Sequence, residues 1–216
     1  MSTPPRSRLR ATDARLPLTT AAPPEGTRRR ILETALQLFA SRGYHDTSIR
    51  DLATALELRP SALYAHFAAK DHVLAELVRI GHEAHFEALE TAFRDAQPTP
   101  VAQVRALVHA HTRVHAEHPQ LAMVVNEEFY ALSQELAAPA QVLRDRANAM
   151  LMDAILRGQA QGQFAPLHPA ITAAAIVGMG SRIPHWFEPG GPIEVEALAN
   201  THAELALRML GHASST

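Results

Sequence analysis

Thr47-Ser48-Ile49-Arg50-Asp51-Leu52-Ala53-Thr54-Ala55-Leu56-Glu57-Leu58-Arg59-Pro60-Ser61-Ala62-Leu63-Tyr64-Ala65-His66-Phe67 is the stretch that decides the fold. Ser48 and Asp51 have the spacing of a capping box, in which each side chain accepts from the other residue's backbone N–H at a helix start; Thr47 is the alternative cap. Ile49, Leu52, Ala53 and Leu56 recur at helical spacing and face inward. The chain turns through Glu57 and Leu58, and Pro60 opens a second short helix, where its missing N–H costs nothing. Leu63 and Phe67 anchor that helix, while its other side holds Arg59, Ser61, Ala62, Ala65 and His66. Two short helices joined by a tight turn make a helix-turn-helix unit. The second is too short to be stable alone, so it needs a support.

The support lies upstream. Ile31, Ala35, Leu38 and Phe39 form one buried stripe on a helix over about 27–42, which Gly43 stops. Downstream, a long fourth helix over about 69–95 ends at Gln97-Pro98-Thr99-Pro100. Five more helices are expected over about 101–117, 119–132, 133–162, 168–187 and 193–210. Pro139 is placed to break the first turn of one, and Pro184 to kink another. The expected fold class is all-α, with about nine helices: an N-terminal three-helix helix-turn-helix head on a larger helical-bundle body. The expected domains are a flexible basic arm over 1–26, a helix-turn-helix DNA-binding head over 27–70, and a helical-bundle body over 71–216.

Composition agrees. The chain has 216 residues, no Cys and a net charge of −2, so a disulfide scaffold, a Cys-ligated metal and a Cys nucleophile are excluded. That near-neutral total hides an asymmetry. Residues 1–70 hold eleven Lys and Arg against six Asp and Glu, a surplus of five positive charges; residues 71–216 carry a surplus of seven negative ones. A basic end on an acidic body suits a nucleic-acid reader. No 18-residue apolar run occurs and the N-terminus has no apolar core segment, so neither a membrane span nor a secretory signal is expected. The expected location is the cytoplasm, at the bacterial nucleoid.

On the head, small outward residues let a helix lie close to base edges. Ala62 suits a thymine methyl, Ser61 donates or accepts, and Arg59 reaches guanine or phosphate. Pro60 shapes the same helix start, and Thr47, Ser48, Tyr64, His66 and Lys70 are candidate phosphate donors. Arg28, in the run Arg28-Arg29-Arg30, precedes this side and is a candidate for backbone contact. Ile31 to Tyr44, Thr47 to Ala53 and Ala62 to Asp71, taken together and in order, resemble the N-terminal segment of TetR-family repressors. The resemblance implies a homodimer that binds double-stranded operator DNA through its heads and is released by a small-molecule effector in the body. Two departures stand out: Glu57 occupies a turn position where the family usually has Gly, and Arg59 one where it often has Ser or Thr.

In the body, Ile171 to Gly180 is apolar and small nearly all round. Ala174 and Gly178, one turn apart, with Leu198 and Leu205 of the last helix, are the candidate dimer seam. Arg182 and Trp186 are also one turn apart, and a guanidinium beside an indole suits an anionic ligand with a flat or apolar part. Ser181 to Gly191 resembles the bodies of a TetR subset responsive to acyl-CoA thioesters, which implies that Arg182 and Trp186 contact the CoA ligand. The family's pocket position adds Phe86, Leu89, Val108, His111, Met123, Phe129, Met150 and Ile155 as candidate lining.

The chain has 13 His. His82 and His85 (i, i+3) and His111 and His115 (i, i+4) have chelating spacing, but no Cys or HExxH-type motif accompanies them, so no metal site is expected. Neither a nucleophile elbow nor a phosphate loop occurs, so no enzyme and no cofactor is expected. The alternatives are a TetR-like repressor of an efflux or drug-response gene with a hydrophobic or aromatic effector, and a His-based metal sensor.

Overall fold

The computed structural model describes Leu16 and residues 26–212; the expected arm otherwise lies outside the described residues. The helices are α1 (Gly26–Arg42), α2 (Ile49–Ala55), α3 (Pro60–Tyr64), α4 (Lys70–Asp95), α5 (Pro100–Glu117), α6 (Pro119–Glu127), α7 (Gln134–Ala160), α8 (Pro169–Ser181) and α9 (Val195–Met209), with 3-10 turns at Phe129–Ala131 and Ile183–His185. The described residues therefore hold nine α-helices and no strand, as the periodicity predicts. None of these helices is long and apolar enough to cross a membrane.

They form two units, one from residues up to 84 with 118–141, the other from 85–117 with the chain from 142 onward. This division runs elsewhere than the expected one at residue 70. In the first unit, Ile31, Leu32, Ala35, Leu36 and Phe39 of α1 close over Leu52 of α2, Leu63 of α3 and Leu74, Leu77 and Val78 of α4. Leu16 is buried in the same cluster. Gly81 of α4 lies so near α6 that an added methyl would come 2.7 Å from Val125. In the second unit, α5 and α9 pack along one another, and Leu107, Val108, Leu151, Ile155, Ile176 and Leu207 form the core.

Three expected helices differ in detail. Residues 128–132 leave α6 for a 3-10 turn, where Phe129 is buried edge-on to His82 at 5.8 Å. Pro139 does not break α7: it sits inside the helix, which continues as Ala137 and Ala140 pack into the first unit's core. The expected kink at Pro184 is instead a helix end. Arg182 is the C-cap of α8, and the chain tightens into the Ile183–His185 turn. Pro184 has no N–H for the carbonyl of Gly180 and would crowd it, so the α pattern stops one turn early.

Candidate nucleic-acid interface and the body cavity

Local chemistry builds the head. Ser48 caps α2: its hydroxyl accepts from Asp51 N–H at 3.1 Å, and the Asp51 carboxylate accepts from Ser48 N–H at 2.7 Å. The bonds from Ser48 hold the Asp51 carboxyl below its usual range. Gly43 ends α1 at φ +94°, and Glu57 takes φ +55° in the turn before α3. A side chain in that left-handed region costs about 1–2 kcal/mol. The strain is held by backbone bonds from Glu57 N–H to Thr54 and from Leu58 N–H to Ala53.

The helix α3 has a buried side, made by Leu63 and followed by buried Phe67. Arg59, Pro60, Ser61, Tyr64 and His66 are exposed around it, Ala62 is half-buried, and Ser48 is exposed at the start of α2. Three other predicted contacts are placed differently. Thr47 is 1% exposed, and its hydroxyl donates to the Gly43 carbonyl at 2.9 Å. Its side chain therefore closes the turn rather than meeting phosphate. Lys70 Nζ donates to the Tyr44 and Thr47 carbonyls, each at 2.7 Å, and lies 4.1 Å over the Tyr44 ring. Arg28 donates to the His66 carbonyl at 2.8 Å, meets Glu76 at 3.4 Å and lies 4.1 Å over Phe67. Both cations are engaged in bracing the head. Conversely, Arg50 is exposed one residue inside α2, two positions from Ser48. The inward period of Ile49, Leu52 and Ala53 already placed it outward.

The second unit contains a cavity of about 40 Å³ lined by His85, Leu89, Leu107, Val108, His111, Ala147, Asn148, Leu151, Ile176 and Val177. Leu89, Val108 and His111 were expected there. Phe86, Met150 and Ile155 stand in the surrounding core but do not line it, and Arg146 covers the Phe86 ring at 4.2 Å. Met123 and Phe129 are corrections: both are buried in the first unit, because α6 packs there against α1 and α4. Arg182 is exposed at the end of α8, and Trp186 is 51% exposed, edge-on to Phe187 at 6.1 Å. Neither lines the cavity, since the early end of α8 carries both residues past it.

Of the seam residues, Ala174 and Gly178 lie exposed on α8 beside Ile171 and Ala175, and Leu205 is exposed on α9. Leu198 is a correction: it is buried with Ala116, Ile183 and Phe187, because the first turn of α9 packs against α5 and the turn that follows α8.

Three imidazoles, of His85, His111 and His115, meet beside the cavity, and the first two line it. His85 Nε2 is 2.8 Å from His111 Nδ1. His111 Nε2 donates to the Val177 carbonyl at 3.1 Å, and His115 Nδ1 donates to the His111 carbonyl at 2.8 Å. Burial, with His115 and His85 adding their share, pushes His111 well below the ordinary imidazole range; burial also lowers His115. His111 owes its place to Gly180, where a methyl would fall 2.2 Å from its ring. The sequence marked two His pairs, but the structure separates His82, which is in the first unit, and joins His85 to the other pair.

A family profile described as "Bacterial regulatory proteins, tetR family" matches residues 31–77, and one described as "Tetracyclin repressor-like, C-terminal domain" matches 97–210. The HTH-type transcriptional repressor KstR2 of Mycobacterium tuberculosis is 25% identical over 185 residues, covering 83% of this chain and 90% of the relative. A bacterial regulatory protein in the tetR family from Rhodococcus RHA1 superposes with a TM-score of 0.81 at 29% identity, over 88% of this chain and all of the other. AibR, solved in complex with isovaleryl coenzyme A and operator DNA, gives a TM-score of 0.74 at 26% identity, over 82% of this chain and 96% of its own.

Proposed function

The chain belongs to the TetR family of bacterial transcriptional regulators, and from that premise we propose that it is a repressor, released from a palindromic operator by a small-molecule effector. The observation that carries the reading is α3: five residues long, anchored by Leu63, with Arg59, Ser61, Tyr64 and His66 exposed together. Such a helix enters a major groove, where Arg59 and Ser61 read base edges and Tyr64 and His66 meet phosphate. Arg28, Thr47 and Lys70 act one step back, holding the reader in place.

Two copies are required, because a palindrome is read by two heads. The exposed small-residue side of α8 (Ala174, Gly178) with Leu205 of α9 suits a two-fold seam. The effector is proposed to be an acyl-CoA thioester, a reading supported by the likeness to AibR. The cavity of about 40 Å³ is far below the roughly 300–1,000 Å³ of ligand pockets, so an acyl chain must open it. The helix α4 lends Lys70 to the head and His85 and Leu89 to the cavity wall. Opening the cavity therefore acts on a helix that also anchors the head, and effector binding shifts the population away from the operator-bound form. The mostly apolar lining gives a second reading, a small hydrophobic or aromatic effector.

The test is fluorescence anisotropy with duplex DNA flanking the chain's own gene, at graded salt. Binding as a dimer that weakens steeply with salt is expected, and Arg59→Ala should remove it. Failure to bind any of this DNA at low salt defeats the repressor reading. Short, long and steroid-derived acyl-CoA thioesters should then release the DNA and quench Trp186, the only Trp. If all leave both signals unchanged, the acyl-CoA reading fails and a panel of apolar aromatic compounds tests the second.

A further inference from the structure

We propose that His85, His111 and His115 form a binding site for one divalent first-row transition ion of the zinc type at the cavity wall. One ligand nitrogen from each residue lies within 4.8 Å of the others. Two of the rings are already oriented as metal ligands are. A ligating histidine usually donates its second N–H to a carbonyl or carboxylate, which fixes the tautomer and aims the lone pair. A carbonyl can only accept, so His111 carries its proton on Nε2 toward Val177, and His115 carries its own on Nδ1 toward the His111 carbonyl. The lone pairs therefore reside on His111 Nδ1 and His115 Nε2.

His85 completes the set. Its Nε2 now donates to His111 Nδ1 at 2.8 Å. On metal binding that proton moves to Nδ1 through solvent, and the ion takes its place between the two nitrogens. With zinc–nitrogen bonds of about 2.0–2.1 Å, neighbouring ligand nitrogens in a tetrahedron stand about 3.3 Å apart, so this pair opens by about half an ångström.

The surroundings fit a site with an open position. His85 and His111 border the cavity, and its volume of about 40 Å³ leaves room for a water or a ligand atom on the ion. None of the cavity-lining residues is a carboxylate, so the charge of the ion is left to be answered by an anionic fourth ligand such as hydroxide or an effector carboxylate. Nitrogen-only ligation favours zinc, nickel, cobalt or copper over magnesium or calcium. A side chain at Gly180 of α8 would meet the His111 ring, so the packing around the ring depends on its absence. The inference does not rest on the repressor reading, because ion binding is read on the protein alone and DNA binding in a separate assay.

The experiment uses the full chain, free of any tag and stripped with a chelator, titrated with Co²⁺ and then Zn²⁺. One equivalent of Co²⁺ with the intense visible bands of tetrahedral coordination is expected, displaced by Zn²⁺. His115→Gln and His85→Gln should each weaken binding by at least about 100-fold, since even second-shell losses cost about 10–100-fold. His72→Gln, on an exposed histidine of the first unit, should leave it unchanged. Because a buried variant can misfold, the unmutated chain labelled with ¹⁵N-histidine supplies a second readout: Zn²⁺ should shift the ring nitrogens of His85, His111 and His115. Absence of a tetrahedral equivalent, unchanged affinity in His85→Gln, or shifts confined to other histidines would each overturn the proposal.

Discussion

Lys70 in the head and His111 in the body are both nitrogen bases held under carbonyl oxygens, yet their surroundings are opposite. Around Lys70, burial lowers the ammonium's pKa, but Glu128, Asp46 and Asp51 all favour its charge. Around His111 the titratable neighbours are other histidines, so burial and their company both favour the uncharged ring. The head keeps a cation by placing acids nearby. The body keeps neutral imidazoles by withholding them. A charged brace suits a surface that must hold its shape against DNA, while neutral lone pairs suit a wall that receives a ligand.

Four experiments press on that contrast. The largest effect belongs to Leu63→Ala, which removes the buried anchor of α3 and should cost about 2–5 kcal/mol. Hydrogen exchange followed by mass spectrometry should show residues 26–84 loosening and the cavity helices α5 and α8 unchanged. Loosening spread equally over both would break the division into units. Next, Gly180→Ala drives a methyl into the His111 ring and should cost about 1–3 kcal/mol. Here the loss of protection should fall on α5 and α8, with DNA affinity of the effector-free protein retained.

The third is graded and depends on pH. His111 and His115 have folded values below the ordinary 6.5, so the unfolded chain binds more protons as pH falls through that value. Their contribution to stability is full above pH 6.5 and is lost progressively below it. Thermal melts from pH 8 to 5 should show protection in α5 falling ahead of that in α1, and Asp51, whose carboxyl is held low, should keep α2 capped through this range. A head that loosens first would reverse the contrast. The smallest step is Ser48→Ala, which deletes one side of the capping box and should lower stability by about 1 kcal/mol, read as faster exchange in α2 alone.

The two regions also differ in how far they could be read from sequence. In the head the decisive contacts are short-range: Ser48 with Asp51, Glu57 with Thr54, His66 and Phe67 with Leu63. Periodicity and capping chemistry are local, so the cap, the turn and the outward set at Arg59, Ser61 and His66 were legible. The bracing roles of Arg28 and Lys70 were not. They join residues 38 and 26 positions apart in the case of His66 and Tyr44, and a basic residue near a DNA-reading helix looks the same in sequence whether it meets phosphate or carbonyl.

In the body, α5 and α9 are both amphipathic, and nothing local says which apolar residues border the cavity. Met123 and Phe129 are as apolar as the true lining residues, yet α6 and the turn after it belong to the other unit. Leu198 and Leu205 lie seven positions apart on one helix, a spacing that sets them on one side; one is buried against Ile183 and the other is exposed.

By itself, then, the sequence determined the helices, the helix-turn-helix and the family, because hydrophobic period, caps and turn residues act over one to four positions. Only the tertiary structure decided which cations brace, where α8 ends in space, and that His85 meets His111 across 26 positions. Those outcomes depend on which helix faces pack together, a choice made by the whole core at once rather than by any single stretch of chain.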